Sequence, residues 1–167
     1  MSAENNLGGQ WEQMPLIHTP KELKKIAHGL TDKDHPYLGG EHGATGNLDD
    51  PNNNQLTYMG GNKDSAAGEC DRACRVAHEF LPPGSHQVIY DDHPKGYNHF
   101  VHHVPTTEGM HVVDYTQRQF NAHSKFPVVE PMKTFHNRQS MKQFGTMKTK
   151  NINYYRADKE GTIDPNQ

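Results

Sequence analysis

The run Gly68-Glu69-Cys70-Asp71-Arg72-Ala73-Cys74 is followed by Asn98-His99-Phe100-Val101 and then by Val112-Val113-Asp114-Tyr115-Thr116. In that order the chain offers a thiol, an imidazole and a carboxylate. A cysteine nucleophile needs three roles of this kind: an attacker, a proton acceptor and a group that orients the acceptor. The chemistry would be attack on a carbonyl carbon through a covalent thioester, which requires no cofactor.

Such chemistry works only if the chain brings the three groups together. Ala73, Val76, Ala77 and Phe80 recur at helical spacing, and Pro82-Pro83-Gly84 closes the pattern, so the sequence predicts a helix over residues 69–81. Cys70 falls in its first turn, where the helix dipole favours negative charge. Cys74, one turn on, is expected to face the core. Three strands are predicted next, at 86–90, 98–104 and 110–113, with Pro105 to Gly109 joining the last two as a hairpin loop. Alternation puts Phe100 and His102 on one face of the second strand and His99, Val101 and His103 on the other. His99 begins that strand and Asp114 ends the next, so a hairpin can set them side by side. The Cys70 N–H is a candidate oxyanion donor, because the first amides of a helix lack partners. Gln117 or Gln119, just past Asp114, could supply a second.

The rest of the chain bounds the answer. With 167 residues it suits a single domain, expected to fray at 1–18 and 158–167. It is 32% hydrophobic with a formal net charge of -3. A modest core amid long polar segments is the expectation. Thr19-Pro20-Lys21-Glu22 reads as a helix start with a capping box, followed by Leu23, Ile26, Ala27 and Leu30 on one face. Residues 32–68, rich in Gly, Asn, Asp and His, read as one long polar loop. A weak helix is expected near 137–144 in an otherwise polar C-terminal third.

The balanced charge gives no support for nucleic-acid binding, and no apolar run is long enough for a membrane span. Met1 to Gln13 has no apolar signal core, so synthesis in a cytoplasm is expected, with any export by a route that uses no cleavable signal. Two cysteines four residues apart make a poor disulfide, and free thiols are expected.

Gly68-x-Cys70-x-x-Ala73 opening a helix, then Asn98-His99-Phe100-Val101, then Val113-Asp114-Tyr115-Thr116-Gln117, resembles the papain-like fold. The likeness spans residues 68–120 and is nearest to bacterial papain-fold toxins and glutamine deamidases, with the transglutaminase-like core as a relative. It implies an α+β fold in which the Cys-bearing helix packs on a small antiparallel sheet. It implies Cys70 as nucleophile, His99 as base, Asp114 as orienter and Gln119 as an oxyanion contributor. It further implies an amide hydrolase acting on a protein or peptide, together with an effector role and an inhibitor protein in the producing cell. Deamidation of a protein glutamine is the version it favours, with a peptidase, a peptidoglycan amidase or a transglutaminase as alternatives that share the thioester step. No Trp follows Cys70 and Phe100 follows the His, which turns the expectation away from ordinary proteases and transglutaminases.

Two other readings use the same residues. Cys70, Cys74 and His78 track one side of a helix and, with His99, His102 and His103, are metal-ligand types, although zinc sites usually draw on tighter pairs from loops. A non-enzymatic interaction domain would use the polar segments as a partner-binding surface.

Overall fold

The computed structural model describes residues 17–40, 54–151 and 161–163. Helix α1 (Pro20–Gly29) begins as its sequence predicts. The Glu22 N–H donates to Thr19 Oγ1, the Thr19 N–H donates to the Glu22 carboxylate, and Pro20 occupies the first turn, where a missing N–H costs nothing. Leu23, Ala27 and Leu30 are buried.

The 32–68 stretch differs from the single loop expected. It holds two short helices, α2 (Gln55–Gly60) and α3 (Lys63–Ala66), while residues 41–53 lie outside the described residues. The reason is local. Asn54 accepts from the Leu56 and Thr57 N–H groups, and Asn62 from the Ser65 N–H. Asparagines that break a helix internally start one when they stand at its cap. Asn54 is itself buried, and its Nδ2 donates to the Leu30 and Asp32 carbonyls, which joins the end of α1 to the start of α2.

Helix α4 (Cys70–His78) is shorter than the 69–81 expected, with Phe80 and Leu81 folding back in a turn onto the Ala77 carbonyl. After it come β1 (His86–Asp91), β2 (His99–Thr106) and β3 (Gly109–Asp114). The β2–β3 hairpin closes through Thr107-Glu108, tighter than the five-residue loop expected, and Gly109 sits at φ +104. A 3₁₀ turn (Gln117–Gln119) follows, then β4 (Val128–Pro131), helix α5 (Met132–His136), β5 (Thr146–Asn151) and β6 (Gly161–Ile163).

The C-terminal third thus carries three strands where no strand was expected. Its helix lies N-terminal to the one predicted at 137–144, which is a series of turns. Of the ends expected to fray, His18 bridges Thr106 and 161–163 form β6; residues 1–16 and the rest of 158–167 are outside the described residues.

The strands form one antiparallel sheet in the order β4-β3-β2-β1-β5-β6, and helices cover both faces. On one face Leu23, Leu56, Met59, Ala73, Ala77 and Val113 form a core with α1, α2 and α4. On the other, Val88, Val101, Val112, Val128 and Phe135 form a second core with α5. The chain is therefore mixed α/β around a small antiparallel sheet. Among the described residues no helix is long and apolar enough to cross a membrane.

Histidines line both cores. His102 is fully buried under α4, its Nε2 2.9 Å from His78 Nδ1, with the two rings stacked. On the opposite face His103 meets the Tyr90 hydroxyl at 3.1 Å, and that hydroxyl meets His136 at 2.7 Å. Burial holds His102 well below the ordinary histidine range and brings His103 down to about 4, with the neighbouring histidines adding to both. Between the ordinary value of 6.5 and about 4, the unfolded chain binds protons that these folded histidines do not. The contribution of these two histidines to stability is therefore complete above pH 6.5 and declines as the pH falls toward 4. Urea unfolding at a series of pH values should give a midpoint that drops steadily over this window; a flat profile from pH 7 to 5 would contradict the burial argument.

Candidate active site

Three elements build the site. The first is the start of α4. Gly68 takes φ +77 and turns the chain into the helix. Glu69 caps without a side-chain hydrogen bond, so no side chain takes up the first amides of α4, which lack carbonyl partners within the helix. Asp71 Oδ1 accepts from Gln87 Nε2 on β1 at 3.0 Å and from Arg75 Nε at 3.3 Å. The Gln87 bond holds the first turn, and Cys70 with it, against the sheet, while the Arg75 bond lies within the helix.

The second element is the β2–β3 hairpin. Its register pairs His102 with Val113 and His103 with Val112. Continued by one step, it sets Asp114 opposite Val101 and diagonal to His99 on the same face, within reach of a long side chain. His99 Nε2 lies 2.7 Å from Asp114 Oδ2, and both side chains are 0% exposed. Burial opposes the carboxylate, yet His99 and the N–H donors around it outweigh burial and keep the Asp114 pKa low. Since Asp114 is ionised, the proton on this edge of the ring belongs to Nε2. Nδ1 then faces the thiol. Burial likewise opposes the His99 imidazolium, but the Asp114 carboxylate, with Cys70 adding to it, raises its pKa to about 10.

The third element is the 3₁₀ turn after β3. Gln117 and Gln119 were both candidates by spacing, with the resemblance naming Gln119, and the structure separates them. Gln117 is buried and turned inward: Nε2 donates to Asp114 Oδ2 at 2.8 Å, and Oε1 accepts from Ser140 Oγ at 2.5 Å. Committed there, it is not placed as an oxyanion donor. Gln119 faces the thiol side, with Nε2 2.9 Å from His99 Nδ1. Arg118, between them, binds the Gly61 and Ser124 carbonyls and lies over the Phe126 ring, which pins the turn to the end of α2. Gly60 lies against the same region. A Cβ there would stand 1.7 Å from the Tyr115 carbonyl oxygen, so only glycine lets α2 approach the segment leaving Asp114.

Cys70 is buried but forms part of the wall of a cavity of about 470 Å³. Tyr97, Phe100 and Phe120 give that cavity aromatic sides, and Asn98 and Gln119 give it amides. Phe120 also packs edge-on against the His99 ring at 5.0 Å, which fixes the plane of the imidazole.

Comparison with known proteins found no match: no family model, no curated protein and no solved structure is similar to this chain. The chemistry of the site therefore rests on its own geometry.

Of the residues singled out in the sequence, Cys70, His99, Asp114 and Gln119 come together. Cys74 is buried within the helix and does not line the thiol cavity. His102 and His103 belong to the two buried histidine clusters. Among the described residues no group of three or more His, Cys, Asp or Glu side chains is arranged to hold a metal ion. The contributions of Ser140, Asp71 and Tyr97 were not read from the sequence. Ser140 lies 26 residues beyond Asp114 with no local signal, and Tyr97 stands in a turn that looks like any other loop.

Gln117→Ala should leave Asp114 Oδ2 with His99 as its one remaining side-chain donor and destabilise the fold by about 1–3 kcal/mol, the cost of stripping a hydrogen bond from a buried charged group. Urea denaturation measures this directly. An unchanged midpoint would mean that Gln117 is a bystander.

Proposed function

We infer that this protein is a cysteine-dependent amide hydrolase, and that its substrate is the carboxamide of a protein glutamine. The observation that carries the reading is the buried His99–Asp114 pair with its second ring edge turned toward Cys70 and Gln119, at a cavity whose wall includes the thiol. A helix start bearing the Cys, with His and Asp on neighbouring antiparallel strands, supports a papain-like arrangement and, through that resemblance, an effector role.

In the proposed reaction His99 takes the thiol proton and Cys70 sulfur attacks the carboxamide carbon. The carbonyl π pair moves to oxygen, where the Cys70 N–H and the Gln119 amide can receive the negative charge. When the tetrahedral intermediate collapses, the C–N bond breaks and the imidazolium returns its proton to nitrogen, so ammonia leaves. Water then attacks the thioester and gives up a proton to His99. The C–S bond breaks, releasing a carboxylate and restoring the thiol. The raised His99 pKa suits the first half of this cycle, because the proton removed from sulfur is held until the leaving group needs it. Asp114 fixes the tautomer and offsets the charge of the imidazolium. A primary amine in place of water would give acyl transfer from the same thioester.

Cys70→Ala and His99→Ala should each lower the rate by roughly 10³-fold or more, as loss of a nucleophile or base does in comparable triads. Cys74→Ala should leave it near wild type. The measurement is intact mass of glutamine-containing protein substrates, where hydrolysis of one amide to an acid adds about one mass unit. Undiminished turnover in folded Cys70→Ala would end the proposal.

A further inference from the structure

A second cavity, of about 460 Å³, lies on the other side of the aromatic wall. Tyr97 and Phe120 line both cavities, so a segment with one residue at Cys70 can cross this wall and seat its neighbour in the second space. The two linings differ in charge. The thiol cavity includes Asp71. Among the described residues the second has no carboxylate in its lining; Lys95, Arg138, Asn121, Gln139 and Gln143 give it cations and amide donors.

Arg138 is already engaged, since its guanidinium meets both oxygens of Glu130. That leaves Lys95 as the source of attraction at the rim. Among the described residues no carboxylate pairs with it. It stands on the turn that holds Tyr97, where the Lys95 N–H donates to His93 Nδ1 and the Gly96 N–H to the His93 carbonyl. Donors without a counter-charge, next to a reaction site, make a place for an anion.

We propose that this second cavity is a specificity subsite, which receives an acidic side chain flanking the target residue in a protein substrate and holds it through Lys95 and the surrounding amides. The proposal rests on Cys70 being the nucleophile, and it adds a substrate class: glutamines beside aspartate or glutamate. It also accounts for the placing of the cavity's floor. Gln117 and Ser140, which support Asp114 from behind, form part of it.

Short capped peptides carrying a chloroacetamide in place of the glutamine carboxamide test this on the intact protein. Three probes differ only in the flanking residue: Glu, Gln or Lys. The rate of covalent labelling is followed by intact mass, and digestion locates the adduct. Expected is labelling of Cys70 with the Glu probe about fivefold faster than with the Gln probe, and slower still with the Lys probe, the scale of a solvent-exposed ion pair. The preference should shrink as salt is raised, and Lys95→Glu should reverse it, each probe's rate being taken relative to that variant's own rate with plain iodoacetamide. Rapid labelling of Cys70 with no dependence on the flank would overturn the subsite and leave the thiol chemistry standing. No labelling of Cys70 by any reagent, iodoacetamide included, would overturn both.

Discussion

A buried ion pair governs this structure. His99 and Asp114 are both withdrawn from water, and burying such a pair is costly unless the remaining hydrogen-bonding capacity is filled. Here it is filled with unusual completeness. Asp114 Oδ2 accepts from His99 and Gln117, while Oδ1 accepts from the Thr116 N–H at 2.8 Å and sits 3.4 Å from the Thr116 hydroxyl. Each of these donors must be delivered by a different piece of local structure. The hairpin register brings His99, the bend after β3 brings Thr116, and the 3₁₀ turn brings Gln117. A slip of one residue in the β2–β3 register would send His99 or Asp114 to the opposite face and leave the other charge buried alone.

The sheet has two covered faces, and the site lies where they meet. His99 and Val101 point to the α5 side, whereas α4 packs on the opposite side over His102. Thiol and imidazole thus approach from different layers and meet where β2 begins, His99 being its first residue. That explains why the helix must start at Cys70. One turn later, at Cys74, the helix lies over the sheet interior and its side chains are committed to packing. Gln87, on β1 beside His102, tethers the first turn of α4 to the sheet through Asp71.

What the sequence revealed and concealed divides along physical lines. Helix α1, helix α4 and the three central strands were legible because periodicity and capping are local properties. Their residues declare a face before any tertiary contact exists. Helices α2 and α3 were hidden because Asn and Gly are ambiguous: Asn54 and Asn62 are helix starters by position and loop formers by composition. Strands β4 and β5 escaped for another reason. β5 reads Thr146-Met147-Lys148-Thr149-Lys150-Asn151, polar enough to pass for a tail, and it is a strand because β1 offers it a hydrogen-bonding edge. The order and spacing of Cys70, His99 and Asp114 were visible. Spacing alone did not choose between Gln117 and Gln119; only the family resemblance pointed to Gln119.

That choice is settled by the geometry of a single turn. In a 3₁₀ helix each residue advances by about a third of a turn, so side chains two apart diverge. Gln117 and Gln119 carry the same amide into opposite surroundings, one behind the acid and one before the base. The difference bears on the proton as well. Whenever Nδ1 is without its proton it is an acceptor, and the Gln119 N–H can donate to it. Once Nδ1 takes a proton, that bond has lost its acceptor, and the amide must turn its oxygen to the ring or its N–H groups elsewhere. Protonation of Nδ1 therefore frees a donor beside Cys70, where an attacked carbonyl would gather negative charge. Gln117 has no such freedom, because both ends of its amide are bound.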